Sequence, residues 1–265
     1  MKEIFELLDI MRSLRDPHTG CAWDRRQTLD TVLAYTMEEA YELAEAIQDN
    51  DIDGLKEELG DLLFHIVFYS QIAEESDQFS FTEVVKQLND KLRRRHPHVF
   101  DSSGVGKVSV QEGDWEKMKT QERVDKHQRS AGLLDDISGT IPALIYATKL
   151  QKRAASVEFD WTEIKPVLDK IEEEISEIRA ELNGRAENSA IKEEVGDLLF
   201  ACVNFARHVN VDAETALMST NKKFINRFRY IELQLAQRNK SLTNSTLEEM
   251  QALWEESKQQ PISDD

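Results

Sequence analysis

The chain has 265 residues, 40% of them hydrophobic and 32% charged, and a formal net charge of −18. That length accommodates one large domain or two ordinary ones with real cores, while so acidic a balance excludes a general nucleic-acid binder, whose phosphate partner demands a basic surface. Two cysteines, Cys21 and Cys202, are too few for a disulfide scaffold.

In chain order, Ile4, Phe5, Leu7, Leu8 and Met11 fall at helical spacing and predict a helix over residues 2–15, ended by DPHTG. A second helix is predicted over 28–49, with Ala40, Leu43, Ala44 and Ile47 as its apolar stripe and Glu39 at the stripe's edge. A third runs over 52–75 and is apolar nearly all round in its second half. SFTEVVKQLNDKLRRR predicts a fourth, stopped by HPH, and a weaker fifth is expected over 112–128. The second half repeats the scheme, with helices predicted near 141–154, 162–183, 187–209, 212–238 and 246–259. DSSGVGKVS reads as a flexible loop and SAGLLDDISGT as a linker. No segment of useful length has strand period. The expected fold is all-α: two tandem helical-bundle repeats of about five helices each, an N-terminal domain over 1–130 and a C-terminal domain over 136–265.

The two halves share more than a helix count. EEAYE followed by KEELGDLLF recurs as EEISE followed by KEEVGDLLF, so Glu39, Glu42, Glu58 and Asp61 answer to Glu174, Glu177, Glu194 and Asp197. Asn89, Lys91 and Arg95 recur as Asn221, Lys223 and Arg227, Trp115 and Lys119 as Trp254 and Lys258, and Trp23 loosely as Trp161. Landmarks that recur in one order mark a duplication.

Acids three apart lie on one helical face, about 5–6 Å from each other. Two such helices side by side bring four carboxylates to one point, next to apolar runs, and this needs a counter-charge. A hard cation such as Mg²⁺ suits it: all its ligands are oxygens, and the positions it leaves to water are where phosphate oxygens bind. Gly60 and Gly196 sit between the acids of each second pair. Glycine inside a helix costs roughly 1 kcal/mol relative to alanine, so something is expected to approach the backbone there. The di-iron alternative needs Glu-x-x-His ligands. His65 lies four beyond Asp61, but its counterpart is Ala201, and that reading fails.

Lys91 with Arg95, and Lys223 with Arg227, lie one turn apart and can hold a polyphosphate. Trp254 and Lys258 offer a ring for a base and a cation for a phosphate. His96 and His98 flank Pro97 in what reads as a loop, without zinc spacing. No Walker A or GxGxxG segment occurs, so phosphate binding is not of the glycine-loop type.

In combination, GCAWDRRQT, YTMEEAYE, EELGDLLF, RRHPHVF and the repeated second half resemble the MazG-type nucleoside triphosphate pyrophosphohydrolases of the all-α pyrophosphatase superfamily, over essentially the whole chain. The resemblance implies Mg²⁺-dependent hydrolysis of (deoxy)nucleoside triphosphates to the monophosphate and pyrophosphate, a homodimer and a nucleotide house-cleaning role. It implies that Glu174, Glu177, Glu194 and Asp197 hold Mg²⁺, with Glu173 and Glu193 as orienting neighbours. It further implies that Asn221, Lys223, Arg227, Trp254 and Lys258 contact the nucleotide. Relatives often carry a Lys seven residues before the last metal-binding Asp; here that position is Ala190, with Lys192 nearby. The first repeat, with Glu39, Glu42, Glu58, Asp61, Lys91, Arg95, Trp115 and Lys119, is a second candidate site. The competing reading is a non-catalytic helical module that senses a nucleotide or docks a protein.

The N-terminal MKEIFELLDIMRSLRD carries acids within its apolar stretch and lacks a signal-peptide pattern. LLFHIVFY and LLFACVNFA are too short to span a bilayer. A cytoplasmic protein, without membrane or nucleic-acid partners, is expected.

Overall fold

The structure, a computed structural model, describes residues 2–100, 132–135, 137–183 and 188–259. The chain divides into two compact units, Met1–Ser109 and Val110–Asp265. The expected helix over 112–128, with Trp115 and Lys119, lies outside the described residues.

The first unit holds α1 (Lys2–Arg15), α2 (Leu29–Asp49), α3 (Ile52–Glu75), α4 (Phe81–Arg95) and α5 (Pro97–Phe100). Local chemistry sets the boundaries. Thr28 caps α2 through a reciprocal box with Thr31, and Asn50 ends it in the left-handed conformation at φ 55°. Asp51 caps α3 by accepting from the Gly54 N–H, and Ser80 with Glu83 forms the capping box of α4. Helices α2 and α3 pair along their length, and α1 and α4 pack on α3. The core gathers Met11, Val32, Val67 and Phe68, each about 1% exposed. HPH does not merely stop α4: Pro97 starts the one-turn α5, since its fixed φ and missing N–H suit a first helical position. A 3₁₀ turn at Asp24–Arg26, which periodicity did not signal, leads into α2.

The second unit repeats the plan with α6 (Ala143–Ala155), α7 (Ile164–Asn183), α8 (Asn188–His208), α9 (Ala213–Gln237) and α10 (Leu247–Ser257). Helices α7 and α8 pair as α2 and α3 do, and α6 packs on α8 as α1 does on α3. Val167 is as deeply buried as its counterpart Val32. A separate cluster of Ile231, Leu235 and Leu253 joins α9 to α10. The described part of the expected linker is not a free strand of chain. Ile137 is buried, and Arg153 Nη1 donates to the Leu133 carbonyl at 3.1 Å. Among the described residues there are no strands, and no helix is long and apolar enough to cross a membrane.

Candidate metal and nucleotide site

In each repeat the paired helices bring three acids together. Ligand atoms of Glu39, Glu58 and Asp61 lie within 4.8 Å of one another, and so do those of Glu174, Glu194 and Asp197. The fourth acids, Glu42 and Glu177, stand outside these trios. Each fourth acid is close by: Glu177 hydrogen-bonds Glu174, and the charge of Glu42 acts on Glu39.

The trios differ in how they bear their own repulsion. In the first repeat burial, then a hydrogen bond to Glu58 and the charges of Asp61, Glu42 and Glu58, push the Glu39 carboxyl up to about 7. Glu58 Oε2 is buried there without a hydrogen-bond partner. In the second repeat Glu174 is 3% exposed, and Lys170 Nζ lies 2.8 Å from its Oε1. Lys170 also meets Glu173 Oε1 at 2.9 Å. These hydrogen bonds, to Glu173 and then Glu174, hold the Lys170 ammonium above its ordinary range. The Glu177 carboxyl is raised by desolvation, then by a hydrogen bond to Glu174 and the charges of Glu174 and Glu194.

Both trios are all-oxygen donor sets, which fit a hard divalent cation, and the first repeat adds an orphaned buried carboxylate oxygen. Such sets do not fit zinc, which prefers nitrogen and sulfur. Gly60 and Gly196 face open space. A Cβ at either position would meet no other part of the described chain within 4 Å.

The acids of the second repeat share their surroundings with a cavity of about 810 Å³. Its lining includes Glu174, Asp197 and Lys170, the rings of Phe159, Trp161 and Phe200, and the polar side chains of Gln151 and Asn204. Alignment on GDLLF explains the hollow. Where the second repeat has Ala201 and Asn204, the first has His65 and Phe68, and both of these are buried, with Phe68 in the core. The second repeat is open where the first is filled.

The set expected to contact the nucleotide is only partly assembled. Arg227, from α9, lies over the Trp254 ring of α10 with its guanidinium carbon 5.5 Å from the centroid, and Phe224 adds an edge to that ring at 5.2 Å. Lys258 pairs with Glu255 at 2.6 Å. Asn221 and Lys223 make no side-chain hydrogen bond or ion pair among the described residues. No hydrogen bond, ion pair or ring contact among the described residues joins any of these five to the acidic trio. In the first repeat Lys91 is exposed and Arg95 half-buried on α4.

Three residues escaped the sequence reading. Lys170 was legible in principle, because it sits one turn before Glu174. Asn204 was signalled by a polar residue inside LLFACVNFA, at the position of Phe68. Gln151 carried no signal, since its role depends on a carbonyl 49 residues away.

The family model of the MazG nucleotide pyrophosphohydrolase domain matches residues 27–100 and 163–231, one segment in each repeat. The chain is 48% identical over 263 residues to a nucleoside triphosphate pyrophosphohydrolase of Escherichia coli (strain K12), covering 99% of both chains. It is 41% identical over 254 residues to a nucleoside triphosphate pyrophosphohydrolase/pyrophosphatase MazG of Thermotoga maritima, covering 96% of this chain and 94% of that one. It is 35% identical over 150 residues to a nucleoside triphosphate pyrophosphohydrolase of Mycobacterium tuberculosis, covering 56% of this chain and 44% of that one.

Proposed function

The chain belongs to the MazG family of nucleotide pyrophosphohydrolases, and from that premise we propose that its second repeat hydrolyses nucleoside triphosphates to the monophosphate and pyrophosphate with Mg²⁺ as cofactor. The observation that carries this reading is the sharing of Glu174 and Asp197 between a carboxylate trio and a ligand-sized cavity. In the first repeat Phe68 and His65 stand where the second has Asn204 and Ala201.

Glu174, Glu194 and Asp197 would hold the metal. When bound, Mg²⁺ would supply charge neutralisation at the polyphosphate and ease deprotonation of a water. Glu177 stands one turn from Glu174 and outside the trio, which leaves it as the carboxylate to accept the proton of the attacking water. Lys170 holds the acids in place and reduces their mutual repulsion.

Asn221, Lys223, Arg227, Trp254 and Lys258 would bind the nucleotide, with cations neutralising the departing pyrophosphate. Among the described residues no hydrogen bond, ion pair or ring contact joins them to the trio, so a homodimer in which the partner's α9 and α10 complete the site fits them best. The central helices favour such a dimer. Leu59 and Ile66 on α3, and Val195 and Leu199 on α8, are all 42–54% exposed, apolar positions that a second copy would cover. Two domains, 1–130 and 136–265, and a cytoplasmic house-cleaning role complete the proposal.

Product analysis tests it. Each of the eight common (d)NTPs is incubated with Mg²⁺, and monophosphate with pyrophosphate is expected. Diphosphate with orthophosphate would move the attack away from the α-phosphate and refute the assignment.

A further inference from the structure

We propose that Lys170 is an internal competitor of the metal: its ammonium neutralises the buried Glu174 carboxylate until a divalent cation takes over that charge, and it then withdraws onto Glu173. This rests on the reading of the second trio as a metal site and adds what sets the affinity of that site.

The ammonium is held between two unlike carboxylates. Lys170 Nζ lies 2.8 Å from Glu174 Oε1, and it donates to Glu173 Oε1 at 2.9 Å. The Glu174 side chain is 4% exposed and the Glu173 side chain 56%. Both acids sit on α7 about one turn beyond the lysine, so a small swing of its flexible four-carbon stem can give up one partner and keep the other.

Glu174 also belongs to the trio, with a ligand atom within 4.8 Å of those of Glu194 and Asp197. A buried carboxylate left without a partner is costly, so one cation or another has to sit on it. Two do not share it well. An ammonium and a divalent ion on one carboxylate repel each other across a few ångströms, and a buried site screens that repulsion far less than water does. Glu173 stands outside the trio, and its exposure lets solvent screen the displaced ammonium.

The other cation of the described cavity lining, Arg207, is committed elsewhere. It is bidentate on Asp160, at 2.8 Å from Nη1 to Oδ2 and 2.5 Å from Nη2 to Oδ1. That brace leaves Lys170 to serve the acids. The first repeat carries Tyr35 at the lysine's place, four residues before Glu39.

Metal affinity, rather than turnover, carries the test. Mn²⁺ serves as a paramagnetic stand-in with the same preference for oxygen ligands, and its free fraction is read by electron paramagnetic resonance. The full-length parent carries Asp61→Asn, which disables the first trio. Lys170→Gln deletes the charge at similar length and keeps an N–H for Glu174. It is expected to bind Mn²⁺ about tenfold more tightly than the parent. Glu173→Gln takes away the ammonium's second partner. It is expected to weaken binding about threefold, an effect that falls below about 1.5-fold once Lys170→Gln is also present. Lys192→Met removes an equal charge from the exposed surface just before Glu194 and is expected to change the affinity less than about twofold. Unchanged or weaker binding in Lys170→Gln would reduce the lysine to a structural support and overturn the proposal. An equal gain in Lys192→Met, or a Glu173→Gln effect that persists without Lys170, would reduce it to general charge and overturn it as well. If circular dichroism shows Lys170→Gln unfolded, the exposed Glu173→Gln decides, and an unchanged affinity there overturns the proposal. A parent that binds no Mn²⁺, or binds it equally after Glu194→Gln, would instead sink the metal site of the second repeat, and this inference with it.

Discussion

Lys170 Nζ lies 2.8 Å from Glu174 Oε1, so the second repeat carries its own cation beside its acidic trio. The first repeat has Tyr35 at that place, four residues before Glu39. Its relief is a proton, with the Glu39 carboxyl pushed up to about 7 by burial and by its acidic neighbours. One ancestral arrangement thus meets the same repulsion in two ways, with a lysine in the second repeat and a raised glutamate carboxyl in the first.

Lys170→Met should expose that difference. It leaves a 3% exposed Glu174 facing three acids with no counter-charge, and removing one partner of a buried pair is costlier than the pair was worth. In EDTA the variant's Tm is expected several degrees below that of the unaltered chain. Mg²⁺ should close most of the gap, giving the variant the larger metal-induced rise. Equal Tm values in EDTA would show that Lys170 is not the counter-charge.

Glu194→Gln and Asp197→Asn remove ligand charge while nearly keeping shape. Each is expected to cut turnover at least about a hundredfold, because metal stabilisation of the polyphosphate is worth several kcal/mol, with unchanged circular dichroism. The same changes at Glu58 and Asp61 are expected to cost far less. The reverse pattern would move the working site to the first repeat.

The Asp160–Arg207 brace has a pH signature. Hydrogen bonds and charge from Arg207, with His208 adding to them, hold the Asp160 carboxyl below its usual range. Its folded pKa is therefore lower than its unfolded one. The stabilisation is present above the ordinary carboxylate pKa and is lost as pH falls through the depressed folded value. The side chains are 24% and 13% exposed, so Asp160→Asn should cost about 1–3 kcal/mol at pH 7. In chemical denaturation at successive pH values, the gap to the unaltered chain should shrink below about pH 4. A gap that stays constant down to pH 2 would mean that packing rather than charge is lost.

The helices were legible because their signals are local. Apolar period and breakers such as DPHTG act within a few residues. The acids of the trios were legible because the duplication wrote them twice. What stayed hidden depends on side chains meeting across the fold. Lys170 became visible as a counter-charge only when Glu174 proved to be buried. Gln151 needed the Phe200 carbonyl, and the cavity needed the contrast between Asn204 and Phe68 inside a packed helix pair. Pro97 was read as a stop when it also begins a turn.

The division of the site between two chains is open to a mixing experiment. Arg227 and Trp254 stack on each other, yet no hydrogen bond, ion pair or ring contact among the described residues joins them to Glu174, Glu194 or Asp197. The exposed apolar faces of α3 and α8 favour a second copy as the missing neighbour. A chain carrying Glu194→Gln lacks a working trio, and one carrying Trp254→Ala lacks the stacking ring; each alone is expected to be nearly inactive as a homodimer. If the sites are shared, a mixed dimer assembles one intact site from the acids of one chain and the ring of the other. Random mixing then makes half the dimers mixed, each with one of two sites intact, so about a quarter of full activity should return on co-refolding. No recovery, with dimers confirmed by light scattering, would put each complete site within one chain. A monomeric mass would remove the shared site altogether and require α9 and α10 to reach their own carboxylates by moving.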